Sequence, residues 1–207
     1  FSIVNFYERR ARRILPTLFF VMLVCIPFAF MIFDPLQFRE FSQSIFATTI
    51  FMSNFFFFLR TDYFGLSAEE KPLLHTWSLA VEEQYYVLFP IFLILAWRFG
   101  KNRVFWMIIG MTVISLMASE WGWRKHPAAN FYLVPTRAWE LFSGSIAAFI
   151  AQKQGVQKNN FLALFGLAAI IFPIFGYDES TPFPSMYALV PVLGTLLLIL
   201  YADKQTL

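Results

Sequence analysis

Charge is what this sequence has least of. Asp, Glu, Lys and Arg make up 14% of its 207 residues, where an ordinary soluble domain carries about 25%. So little charge, with a hydrophobic content of 58% where a soluble domain has about 45–50%, argues against an ordinary soluble domain. A single cysteine, Cys25, rules out an internal disulfide. Histidine is almost as scarce. His75 and His126 are far apart and in different surroundings, so no metal site is expected. There is no glycine-rich phosphate loop and no nucleophile elbow. The apolar runs are continuous rather than alternating, which argues against a membrane β-barrel. The net charge of +3 gathers at the ends of those runs, which suits membrane topology and not nucleic-acid binding.

What is present is long apolar sequence with 28 phenylalanines. The expected fold class is all-α, a polytopic transmembrane helix bundle of about seven apolar segments, one of them re-entrant. Phe1 to Arg13, FSIVNFYERRARR, reads as a short amphipathic helix ending in Arg9, Arg10, Arg12 and Arg13. Four arginines before an apolar span read first as a cytoplasmic anchor. A clamp for phosphate is a second, compatible reading, because Arg recognises phosphate bidentately.

The first span is Ile14 to Phe33, with Pro16 suited to a first helical turn and Pro27 expected to kink the helix. A polar link holding Asp34, Pro35, Arg39 and Glu40 leads to segment two, Ser42 to Leu59, whose first half is rich in Ser and Thr. After a loop at Arg60 to Pro72 comes Leu73 to Trp97, bent at Pro90. Val104 to Ser119 follows, slightly short for a bilayer core of ~30 Å. Glu120 to Pro135 reads as a loop with Trp121, Trp123 and Tyr132 as interfacial anchors. The last spans are Thr136 to Ala151, Phe161 to Phe175, and Met186 to Tyr201, the last interrupted by Pro191. Gly144 and Ala148 form a small-xxx-small pair for close helix packing. The link at Gly176 to Ser185 is acidic, with Asp178 and Glu179.

The basic links conflict with a simple count of crossings. Arg9 to Arg13, Arg98 to Arg103, Lys153 to Lys158 and Lys204 all argue for the cytoplasmic side. Three apolar segments separate the first two clusters, and three full crossings would put them on opposite sides. Re-entrant backbone is tolerated where it is buried in protein or lines a cavity. Segment two, with its polar first half, is the candidate.

The chemistry concentrates in LLHTWSLAVEEQYYVLFP, Leu73 to Pro90. An ionisable residue within a bilayer-length helix is costly and reads as functional by default. On a helix, His75 and Glu82 lie within about 20° of one face and roughly 10 Å apart along the axis. Ser78 falls on or near that stripe, and Glu83 is turned about 100° away. The stripe is expected to face the bundle interior. His75 has a plainer reading as a structural hydrogen-bonding residue, and Arg137 with Glu140, at i,i+3, as a pair that neutralises itself.

Three stretches carry a family resemblance. FYERRARRILP (Phe6 to Pro16) resembles the arginine motif of the acyltransferase 3 family of integral-membrane O-acyltransferases. LLHTWSLAVEEQYYVLFP resembles its block of the type HTWSLxVEEQFYxxxP, and PTRAWELFSGSIAA (Pro135 to Ala148) its TRxWELxxGxxLA block. The resemblance implies transfer of an acyl group, often acetyl, from cytoplasmic acyl-CoA to a hydroxyl of a cell-envelope carbohydrate, free or lipid-linked. It implies an integral protein of the bacterial inner membrane, in contact with membrane lipids. Arg9, Arg10, Arg12 and Arg13 are then expected to bind the phosphates of acyl-CoA (acetyl-CoA). Glu82 and His75 are the expected catalytic candidates, and Ser78, Glu83, Arg137 and Glu140 the expected substrate-binding ones. The family's proposed catalytic histidine precedes the arginine motif, so residues 1–207 are expected to be the middle of one acyltransferase domain and incomplete alone. The rival classes are a transporter or flippase for a lipid-linked sugar, using the same cavity without chemistry, and a non-catalytic membrane subunit whose charges pair only for assembly.

Overall fold

The computed structural model describes residues 2–60, 71–178 and 180–203. Most of the loop expected at Arg60 to Pro72, together with Glu179 and Lys204, lies outside the described residues. The described chain is helical and contains no strand. It divides into two compact units, Phe1–Pro90 and Ile91–Leu207.

In the first unit the leading helix, α1, runs unbroken over Ile3–Ile32. The separate amphipathic helix and first span expected from the sequence are one element. Nothing between Arg13 and Ile14 stops a helix, and Ser2 already caps its start by accepting from the Asn5 amide at 3.4 Å. Pro16 is therefore interior to the helix, with Pro27, and not in its first turn. Thirty residues at 1.5 Å each exceed a ~30 Å hydrocarbon core by several turns.

Segment two also differs from its expected form. α2 covers Pro35–Thr49 and α3 covers Ser53–Leu59. The start moves forward because Asp34 and Gln37 form a reciprocal capping box and Pro35 occupies the first turn. The break at 50–52 contains Phe51 at φ +54°, a backbone region that bulky residues avoid. Beyond the break the chain doubles back. Arg60, at the end of α3, reaches Glu40 at 3.0 Å and Gln43 at 2.8 Å near the start of α2. The pair of helices is thus a short hairpin with its apex at Phe51–Met52.

α4 covers Thr76–Trp97 and packs antiparallel to α1, since Tyr7 meets Val87 while Arg10 meets Glu83. Of the Ser and Thr residues that made segment two look polar, Ser42, Ser44 and Thr49 bond back to carbonyls of their own helix, while Thr48, with Ser53 beyond the break, holds the hairpin to α4. Thr48 and Thr76 hydroxyls are 3.0 Å apart, and Ser53 donates to the Thr76 carbonyl at 2.9 Å. The Gln84 amide donates to the Phe51 carbonyl at 2.8 Å and to Asn54 at 2.9 Å. A helix break among apolar neighbours must have its backbone groups satisfied; Gln84 does that for the Phe51 carbonyl, and the Ile50, Phe51 and Met52 amides bond to carbonyls of α2.

In the second unit α5 spans Lys101–Lys125, α6 Pro127–Tyr132 and α7 Val134–Gln154. At 25 residues α5 is longer than expected, because the stretch from Glu120 continues the helix instead of forming a loop. α8 spans Asn160–Gly176, and a 3-10 turn at Met186–Ala188 leads into α9, Leu189–Tyr201. Pro191 accordingly sits in the first turn of α9, where a missing N–H costs nothing, and does not interrupt it. The close helix contact is made not by Gly144 and Ala148, which are exposed, but by Gly166 and Gly194. A Cβ on Gly194 would lie 2.7 Å from the Gly166 carbonyl oxygen. The buried stripe of α7 is Ala138, Trp139, Ser143 and Ala147, one position before the small pair. Lys101 bonds to Gln152 at 3.0 Å, and the Gln157 amide to the Leu200 carbonyl at 2.9 Å. The links around 98–103 and 153–158 and the end of α9 therefore share one end of this unit.

Among the described residues three helices, α1, α4 and α5, are long and apolar enough to cross a bilayer, and α8 and α9 are apolar but shorter. Large apolar side chains such as Phe20, Met31, Leu88, Ile114 and Phe175 are exposed along them. In a soluble domain such patches are rare; here they match a lipid-facing surface.

Candidate functional site

The arginine motif and the central block meet. Phe6, Tyr7 and Arg10 lie on one face of α1, the face against α4. The Tyr7 hydroxyl donates to the Val87 carbonyl at 3.0 Å. Arg10 Nη2 lies 2.6 Å from Glu83 Oε1, with both side chains mostly buried. The Arg10 guanidinium also stacks over the Tyr86 ring, 3.3 Å from its centroid, and Phe6 packs beside that ring. An ion pair removed from water is held by such geometry, and losing one partner leaves an uncompensated charge.

The four arginines therefore divide. Arg10 is held by Glu83. Arg12 pairs with Glu8 at 2.8 Å across one helical turn. Arg9 and Arg13 are exposed, form no ion pair among the described residues, and lie about 40° apart on one face. Those two are free to meet an anion.

The stripe on α4 is not where it was expected. His75 lies in the turn before α4, not on the helix, and His75, Ser78 and Glu82 are all exposed. The buried face of α4 instead carries Ala80, Val81 and Tyr85, with Glu83 and Gln84 half-buried beside them. Glu83 faces inward to Arg10, and Thr76 and Gln84 face the hairpin, which together fix the rotation of the helix. Ser78 and Glu82 still share a face, one turn apart. Ser78 donates to the His75 carbonyl at 3.0 Å. The Glu82 carboxylate feels the charges of Arg10 and Glu83 but forms no hydrogen bond or ion pair among the described residues. It is an exposed acid beside a buried pair.

In the second unit Arg137 and Glu140 pair at 3.2 Å, as their spacing predicts. Phe183 and Phe131 flank the Arg137 guanidinium at 5.0 and 5.7 Å. The other Glu140 oxygen, Oε1, is buried without a hydrogen-bond partner among the described residues. Ser115 of α5, which sequence reasoning missed, shapes this turn. Its hydroxyl donates to the Pro135 carbonyl at 2.6 Å and accepts from the Trp139 amide at 3.0 Å. Those are the two groups an α-helix would pair directly, so Ser115 is inserted into the backbone ladder of α7. Gln84 was missed too. The signal for Ser115 was a hydroxyl between apolar residues, and for Gln84 a third polar residue directly after Glu82 and Glu83 in an apolar helix. No group of three or more His, Cys, Asp or Glu side chains gathers among the described residues.

An all-helical, bilayer-compatible chain with an arginine motif docked on a carboxylate-bearing helix defines a membrane-embedded protein with a charged site. The acyltransferase domain family matches residues 1–205, and the chain belongs to this acyltransferase 3 family. A protein of Haemophilus influenzae, described only as uncharacterized, is 34% identical over 212 residues, covering 96% of this chain and 86% of that protein. The peptidoglycan O-acetyltransferase OatA of Listeria monocytogenes is 31% identical over 151 residues, 70% of this chain and 24% of OatA. The O-acetyltransferase OatA of Staphylococcus aureus is 30% identical over 171 residues, 79% of this chain and 28% of that enzyme. The chain thus spans about a quarter of either OatA. No solved structure matches. By family the chain is an acyltransferase.

Proposed function

We propose that the protein to which this chain belongs transfers an acetyl group from acetyl-CoA at the cytoplasmic face to a hydroxyl of a cell-envelope carbohydrate. In that reaction the hydroxyl oxygen bonds to the thioester carbonyl carbon, the carbon–sulfur bond breaks, and the hydroxyl proton passes to a base. A hydroxyl is a weak nucleophile at neutral pH, so a positioned base is needed. The carrying observation is the 2.6 Å contact of Arg10 with Glu83, which joins the arginine motif to the central block. Arg9 and Arg13 then bind the phosphates of the donor, with Arg12 nearby, and Arg10 fixes the helix that presents them. Glu82, exposed beside the pair, orients the base or the acceptor, with Ser78 along the same face and His75 in the turn before it. Arg137 and Glu140 bind the acceptor.

The topology follows the same reading. α1 and α4 cross the inner membrane in opposite directions, and the α2–α3 hairpin enters and leaves on one side. That makes the hairpin re-entrant and gives Arg9–Arg13 and Arg98–Arg103 a common cytoplasmic side. The 1–207 stretch is part of a single membrane-embedded domain.

The test uses membranes containing the full-length protein and acetyl-CoA labelled in the acetyl group. Alkali-labile label in the carbohydrate fraction is the expected result. Label that stays with CoA, while a lipid-linked sugar changes sides of the membrane, would replace this reading with a transporter.

A further inference from the structure

An open groove of about 850 Å³ runs along the outer side of the α2–α3 hairpin. Phe46, Ile50, Met52, Phe55 and Leu59 line its length, while Arg39, Gln43 and Arg60 stand at its mouth. Three properties converge on one kind of occupant. The first is charge. Glu40 neutralises Arg60 at 3.0 Å, and the Asp34 carboxylate accepts the Gln37 amide as a helix cap, so exposed Arg39 carries positive charge with no acid paired to it among the described residues. The second is length. From Arg39 to Ile50 is eleven residues, about 16 Å along a helix, and half of a hydrocarbon core is about 15 Å. The third is volume, which falls within the roughly 300–1,000 Å³ of pockets that take one small ligand and leaves room for a headgroup and one acyl chain.

We infer that this groove holds one anionic phospholipid, its headgroup phosphate on Arg39 and Gln43 and an acyl chain along Phe46, Ile50 and Met52 toward the hairpin apex. A basic side chain at the mouth of an apolar slot one leaflet deep meets both ends of such a molecule. The inference rests on the re-entrant reading of the hairpin given above. The lipid occupies the leaflet opposite the Arg9–Arg13 side.

The experiment is native mass spectrometry of the full-length protein released from detergent, titrated with phosphatidylglycerol or phosphatidylcholine. One retained phosphatidylglycerol is expected, favoured over phosphatidylcholine by about fivefold, the factor one basic side chain contributes toward an anionic lipid. R39Q should abolish the preference and R39K should keep it. I50W, which fills the slot from an exposed position, should reduce retention of either lipid. Equal retention of both lipids by the unaltered protein would overturn the inference and mark the groove as ordinary lipid-facing surface. So would a preference that survives R39Q, or no retained lipid at all, which would mean that another segment of the polypeptide fills the groove. None of these readouts involves acetyl transfer, and the sidedness of the hairpin is measured separately by labelling. A failure here is therefore distinct from a failure of either earlier reading.

Discussion

Arg10 and Glu83, 73 positions apart in the chain, are joined by a 2.6 Å ion pair between α1 and α4. The contact removes Arg10 from the set of free arginines and turns Glu83 inward, leaving Glu82 exposed. It gives the two glutamates of one Glu-Glu pair different surroundings: one structural, the other open to a ligand.

The first prediction follows from that asymmetry. E83A should destabilise the protein by roughly 2–4 kcal/mol, since it strands a mostly buried guanidinium. R10A and E83A together should be less damaging than the sum of the two, with a coupling of about 1–3 kcal/mol. Thermal unfolding of the purified protein measures this. Strict additivity would show that the pair contributes nothing.

The donor prediction separates the arginines. R9A and R13A should raise the apparent KM for acetyl-CoA while protein abundance stays normal. R10A should lower abundance instead. If all three variants lose abundance and the surviving protein has an unchanged donor requirement, the cluster serves only as a topology anchor.

Glu82 is exposed and without a hydrogen bond among the described residues, so E82Q should fold as the parent does. Its acetyl transfer should fall by about 10²–10³-fold, the usual loss when an acid–base or orienting group is removed. H75A, at the turn before α4, should show a loss in the same assay with stability kept. Full activity in both variants would move the chemistry off this face.

Close packing offers a paired test. Any side chain on Gly194 meets the Gly166 carbonyl, Ala169 and Ile170, so G194V should lower the unfolding temperature, at a cost of about 1–3 kcal/mol. Nothing lies within 4 Å of a Cβ on Gly144, so G144A should be neutral or stabilise by about 0.5–1 kcal/mol. The reverse ranking would restore the Gly144–Ala148 pair as the packing motif.

Sidedness can be read with single cysteines, because the chain's one native thiol is removed by C25S. Cysteines at Gln37 and Lys71 should react with an impermeant reagent added outside the cell. A cysteine at Lys101 should react only after the membrane is opened. Opposite sides for Gln37 and Lys71 would make the hairpin a full crossing.

Composition and patterning alone determined that this chain is helical and bilayer-compatible, because burying a backbone in lipid leaves few options and long continuous apolar runs select the helix. The same local information placed the ion pair of Arg137 with Glu140, three residues apart on one turn. It also flagged segment two as no ordinary span, since its Ser and Thr residues were visibly out of place. Tertiary contact decided the rest. Which of two adjacent glutamates turns inward depends on where Arg10 sits, and no local rule relates positions 73 apart. The hairpin apex at Phe51 exists because Gln84 satisfies its carbonyl from another helix. Gly166 rather than Gly144 makes the close crossing because the partner glycine is on α9. Periodicity gives a helix its faces, but only the groups packed against it decide which face turns inward.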